Sequence, residues 1–167
     1  MLTQLFAARP DWTGLIIRLA LGGVMWPHGA QKLLGWFGGF GFGGTMNFFT
    51  GTMHLPWLVG LLVIIIEFFG SLSLILGWAS RLWAAALAVL VGGIVFTSHL
   101  EHGFFMNWFG AQKGEGYEYF LLLLGLALAL IANGSGRYSL DGLLQAGPAE
   151  RQPAPLSQQS AALQQQA

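Results

Sequence analysis

Four stretches of this chain, residues 13–34, 57–77, 81–100 and 117–133, are apolar over most of their length. Crossing roughly 30 Å of hydrocarbon takes about 20 helical residues, and each stretch comes close to that. In lipid every backbone N–H and C=O must be bonded inside the structure, so a spanning segment is either a helix or part of a closed barrel. Barrel strands alternate apolar and polar residues over about ten positions, whereas 63–66 and 121–124 are unbroken apolar runs. The pattern predicts an all-α integral membrane protein, a four-transmembrane-helix bundle. Composition agrees: 8% of the residues are charged and mean hydropathy is +0.61, against about 25% charged residues in a soluble domain. A net charge of +0 without a basic cluster excludes nucleic-acid binding as the main activity. The absence of cysteine excludes disulfides, thiolate metal sites, iron–sulfur clusters and cysteine nucleophiles.

Residues 78–80 leave room only for a tight antiparallel hairpin between the second and third helices. The other two connections, 35–56 and 101–116, are longer and lie on the opposite side. Arg9, Arg81, Arg137 and Arg151 are on the side of the termini, and Lys32 and Lys113 on the other. That excess places both termini in the cytoplasm. The expected organisation is an N-terminal cytoplasmic segment (1–12), a membrane domain (13–141) and a disordered Ala-, Gln- and Pro-rich cytoplasmic tail (142–167) that cannot bury a core. Residues 35–56 are rich in glycine and phenylalanine, with a short interfacial helix expected over 45–53 and Phe48 and Phe49 dipping into lipid.

Charges inside a span cost roughly 2.5–3.5 kcal/mol each and usually face the bundle interior. Arg18 and Glu67 are the two deep ones. Antiparallel packing sets them about 7–8 Å apart in depth, within reach of a buried pair. Such a pair either fixes helix packing or tunes Glu67 as a proton carrier or ligand anchor; the remaining alternative is that the two charges snorkel to water separately. Arg18, Gly22, Met25, Gly29 and Lys32 share one stripe of the first helix, and the two glycines permit close approach of a neighbour. Pro27 frees the carbonyl of Gly23 and predicts a kink. His28, Lys32, His99, Glu101, His102 and Glu118 gather near the outer surface, and Trp36 and Phe37 could wall an apolar ligand. His99, Glu101 and His102 offer two imidazoles and a carboxylate, a weak metal pattern; no two histidines sit deep enough to clamp a heme.

Several motifs then resemble one family in order and spacing: Arg18-Leu-Ala-Leu-Gly22, Pro27-His28-Gly29-Ala-Gln-Lys32, Glu67-Phe-Phe-Gly70, Leu76-Gly77-Trp-Ala-Ser-Arg81, His102-Gly-Phe-Phe105, Gly116-Tyr-Glu-Tyr119 and Gly136-Arg-Tyr-Ser-Leu-Asp141. They resemble DoxX-like bacterial membrane proteins over about residues 14–141. The resemblance implies a four-helix bundle in the inner membrane with a role in redox metabolism. It also implies links to thiosulfate:quinone or quinol oxidoreductases or to oxidative-stress defence. Three functions compete. One is a quinone- or quinol-interacting subunit of an oxidoreductase complex, with His28, Lys32, Trp36, Phe37, Glu67, His99 and Glu118 as candidate ligand contacts. Another is a non-enzymatic scaffold for a soluble redox enzyme or other membrane subunit. The third is a small transporter, which four helices allow only as a homo-oligomer.

Overall fold

A computed structural model describes residues 11–145, and among them there is no strand. Helix α1 (Trp12–Leu34) begins where the Asp11 carboxylate accepts from Gly14 N at 2.8 Å, and it ends at Gly35, whose φ of 74° suits glycine. It runs through Pro27 without interruption. A single 3-10 turn (Trp36–Gly38) leads to α2 (Gly41–Asn47), which widens into a π turn over Phe48–Thr52. Helix α3 (Trp57–Leu76) contains a π turn at Ile66–Gly70. Helix α4 (Ser80–His102) contains another at Val95–His99. Then come α5 (Glu118–Asn133) and a short α6 (Leu140–Gln145). Residues 142–145 of the expected tail (142–167) belong to α6; the rest of that tail, the N-terminal segment up to residue 10, and with them Arg9 and Arg151 of the charge count, lie outside the described residues.

Helices α3 and α4 are long and apolar enough to cross a membrane, with mean hydropathies of 2.5 and 1.8. Helix α5 is apolar but spans 16 residues, and α1 is diluted by Arg18, His28 and Lys32. The four long helices pack in a ring, α1 against α3 and α5, α4 against α5 and the second half of α3. Leu21, Met25, Leu74, Leu87, Val91, Leu123 and Leu130 fill the centre. Outward-facing apolar side chains such as Val89, Phe96 and Leu122 are 70% or more exposed, an exterior suited to lipid rather than water.

Glycine sets the register between α1 and α3. A Cβ at Gly22 would meet Ser71 O at 2.8 Å, and one at Gly29 would collide with the backbone of Glu67 and Phe68. The helices therefore touch through their main chains, as small residues allow in membranes. Glu67 lies level with Gly29, eleven residues above Arg18, or about 16 Å at 1.5 Å per residue. The expected Arg18–Glu67 pair is thus replaced by two separate arrangements.

At one end Arg18, 2% exposed, ties three elements together. Its Nε donates to Ser135 O (3.0 Å), Nη2 to Arg137 O (3.1 Å) and Tyr138 O (2.6 Å), and Nη1 to Leu74 O (3.3 Å) and Ile75 O. These are carbonyls at the end of α3 and in the turn after α5, which a planar fork of donors can bond together. The buried Asp141 carboxylate accepts from Ala79 N (2.7 Å) and Ser80 N (3.1 Å), capping α4. It holds Ala79 at a φ of 48°, which an alanine seldom adopts. The hairpin end is locked.

The interfacial segment is helical over 41–52 rather than 45–53, and it differs from expectation in one side chain. Phe48 faces outward, but Phe49 is buried against Met46 and Ile64.

Candidate functional site

The opposite end is open. Helix α3 meets α4 through Ile66–Gly70 and Ser71–Leu76, and its first half stands off. Between the two helices lies a cavity of about 500 Å³. Its walls are aliphatic, among them Val63, Ile66, Leu90 and Ile94, with Phe49 closing one side. Polar side chains reach it from three directions: Lys32 from α1, Glu67 from α3, and Thr97, Ser98 and His99 from α4. All three π turns contribute to it, through Phe49, through Ile66 and Glu67, and through Thr97, Ser98 and His99. Such turns interrupt the regular ladder and often mark functional positions.

Lys32 Nζ donates to Glu67 Oε2 at 2.5 Å; the side chains are 27% and 3% exposed. The contact follows from Gly29. Because α1 lies on the α3 backbone there, Lys32, less than one turn later, reaches the carboxylate. The ammonium thereby sits between the carboxylate and the helix end. His99 stacks on Phe120 with ring centroids 4.2 Å apart, and its Nδ1 lies 2.8 Å from Glu115 O. A carbonyl only accepts, so Nδ1 carries the proton and Nε2 of the neutral ring is an acceptor.

The other sequence candidates lie elsewhere. His28 is on the exposed side of α1 and does not line the cavity, because it is one residue off the Gly29–Lys32 stripe. Trp36 and Phe37 are exposed, and Trp36 packs edge-on against Trp26. Glu118 accepts from Met106 N (2.9 Å) and Trp108 Nε1 (3.2 Å), so it orders the loop before α5. His102 lies 3.6 Å from Glu101, and among the described residues no three His, Asp or Glu side chains gather to hold a metal. The sequence reasoning missed Phe49, Thr97 and Ser98. The Thr97-Ser98-His99 run ending an apolar stretch was a legible signal; Phe49 had none, since its direction depends on the π turn.

The DoxX family model matches residues 14–100 of the 167. The chain belongs to the DoxX family. The matched span contains Arg18, Lys32, Phe49, Glu67 and His99, and hence every polar group lining the cavity. This DoxX-family protein is also 29% identical over 127 residues to "Putative oxidoreductase CatD" of Bacillus subtilis (strain 168), covering 76% of this chain and 83% of that one. No solved structure matches it. Family and candidate spans together make it a membrane-associated helical protein.

Proposed function

We propose that this DoxX-family protein is a four-span bundle of the bacterial inner membrane, with both termini cytoplasmic. In this reading it serves redox metabolism by holding a quinone or quinol in the α3–α4 cavity. The observation that carries the reading is the Lys32–Glu67 pair, its carboxylate buried, at the wall of an otherwise aliphatic cavity. The volume, about 500 Å³, is within the ~300–1,000 Å³ of small-molecule sites, which are mostly apolar with a few placed polar groups. Val59, Leu62 and Val89 at the rim are all exposed, so a ligand dissolved in the bilayer enters without crossing water. Its tail lies along the aliphatic walls; a quinone oxygen accepts from the Lys32 ammonium, and a quinol hydroxyl donates to His99 Nε2. The electrons come from a redox partner, a soluble oxidoreductase or another membrane subunit. The oxidoreductase name carried by the Bacillus subtilis relative supports that setting.

The test is equilibrium binding of a benzoquinone with an alkyl tail to the full chain in lipid nanodiscs. Lys32→Met and the mouth-filling Val89→Trp should each weaken binding by at least ~tenfold, about 1.4 kcal/mol. His28→Ala and Trp36→Ala should leave it unchanged. Loss of binding in the latter pair with retention in the former would place the ligand elsewhere.

A further inference from the structure

A second cavity, about 250 Å³, lies on the loop side of Lys32 and is walled by Gln31, Thr45 and the backbone of Gly38 and Gly39. It shares two lining residues with the lipid-side cavity: Lys32 and Phe49. We propose that these two side chains form a shutter between the cavities, and that Glu67 exchanges protons with water through the loop-side cavity.

The two leaves are held differently. The Phe49 ring rests on Gly60, where a Cβ would meet it at 3.0 Å, and against Met46 and Ile64. These contacts are apolar and without direction, so no hydrogen bond pins the ring, while its backbone is fixed by Leu55 N donating to Phe49 O at 2.9 Å. Lys32 has a long stem, partial exposure and the carboxylate as its side-chain partner. Glu67 is almost wholly enclosed, with Lys32 reaching it from α1 and His99 lining the same cavity from α4. The Thr97 hydroxyl is committed to Gly93 O at 2.9 Å. Ser98 also lines the cavity, with its hydroxyl 3.2 Å from that of Thr97, and the remainder of the lipid-side wall is aliphatic. A proton therefore reaches the carboxylate along the ammonium. Lys32 gives an N–H proton to Glu67, becomes a neutral amine, and regains a proton from hydronium on the loop side, which is left as water. The net change is one proton moved from the aqueous side to the carboxylate, and no electron moves.

This deepens the reading of the same cavity, but its test uses no quinone, so the failure of either leaves the other distinguishable. The chain has no cysteine, so single reporters can be introduced directly into the full-length protein in lipid nanodiscs. A charged methanethiosulfonate should modify Gln31→Cys and Thr45→Cys at least tenfold faster than Val63→Cys in the lipid-side wall. Adding Phe49→Ala, or Phe49→Leu should the alanine variant not fold, should speed Val63→Cys at least fivefold and leave Thr45→Cys unchanged. The same Phe49 change should raise coupling of a water-soluble carbodiimide to Glu67 at least fivefold, without altering coupling of lipid-soluble dicyclohexylcarbodiimide. The proposal is overturned if the charged reagent reaches Val63→Cys equally well with Phe49 intact. It is overturned equally if Thr45→Cys reacts only with uncharged reagents, or if Phe49 substitution moves neither readout.

Discussion

Removing Lys32 should cost more than removing Glu67, although they form one ion pair. The reason is asymmetry of burial: the carboxylate is 3% exposed and the ammonium 27%. Lys32→Met leaves a carboxylate enclosed by Gly29, Phe68 and the aliphatic wall, with no side chain among the described residues to replace the ammonium. Breaking a buried pair from that side costs about 3–5 kcal/mol. Glu67→Gln leaves an ammonium on a flexible stem near the helix end, able to extend toward water. What is lost then is one charge-assisted hydrogen bond, about 1.5–3 kcal/mol, partly recovered by hydration, so about 1–2 kcal/mol is expected. In Lys32→Met/Glu67→Leu both charges are gone and similar volume is kept, so the double variant should be more stable than Lys32→Met alone. With the Glu67→Leu single variant closing the cycle, the coupling should be ~2 kcal/mol or more. Reversible unfolding in mixed micelles, followed by tryptophan fluorescence, measures all four. Additivity within about 0.5 kcal/mol, or a larger loss for Glu67→Gln, would refute the pairing and the burial argument. Arg18→Met/Glu67→Gln is the control: with no shared partner at this register, those two should simply add.

Arg18→Lys should fail to rescue Arg18: an ammonium cannot serve carbonyls in α3 and in the turn after α5 at once. Both Arg18→Met and Arg18→Lys should lose more than ~3 kcal/mol in the same unfolding assay, since each abandoned buried carbonyl costs about 1–3 kcal/mol. Asp141→Ala removes both N-terminal bonds of α4 and should cost about 1–2 kcal/mol by the cap scale, read as a lowered Tm. Gly29→Ala should destabilise by about 1–3 kcal/mol because the helices must part, whereas Gly23→Ala, with open space at its Cβ, should be neutral or gain up to ~1 kcal/mol. Reporter fusions at Trp78 and after Gln145 should both give cytoplasmic signals; a periplasmic signal at either would overturn the four-span orientation.

Helix existence was legible because each apolar stretch is long and bounded by glycine, proline or charge. The inward stripe of α1 was legible for the same reason: a spacing of three and four marks a face. Depth was not. Assigning Arg18 and Glu67 to neighbouring levels assumes that helices begin flush with the membrane surfaces, whereas their relative height is decided by where two backbones can touch. Gly22 and Gly29 make that decision, and the eleven-residue gap between Arg18 and Gly29 becomes a separation no pair of side chains spans. His28 failed for a related reason. A residue adjacent to the stripe is turned about 100° from it, so proximity in sequence to Gly29 and Lys32 placed it on the wrong side. Phe49 escaped because a π turn rotates the side chains around it relative to an α-helical wheel.

The two ends of the bundle put their polar residues to opposite uses. At the hairpin end the buried charges are spent on backbone, Arg18 on carbonyls and Asp141 on amides, while the half-buried Asp11 accepts from Gly14 N and from the Asn133 side chain. Groups so committed have no capacity left for a ligand, and their geometry fixes how α1, α3, α4 and α5 meet. At the other end Lys32 and Glu67 are committed to each other, and His99 keeps one ring nitrogen unspent. An ion pair with donors left over, set in an aliphatic wall, can exchange its partner for a ligand oxygen without unfolding anything, because the helices are already held from the far side. The rigidity needed for a defined site and the freedom needed for binding are thereby placed about 16 Å apart on the same helix, at Arg18 and near Gly29. Stability lost at Arg18 should then leave ligand selectivity intact in whatever fraction stays folded, and changes at Lys32 should alter selectivity even where stability is restored by Glu67→Leu.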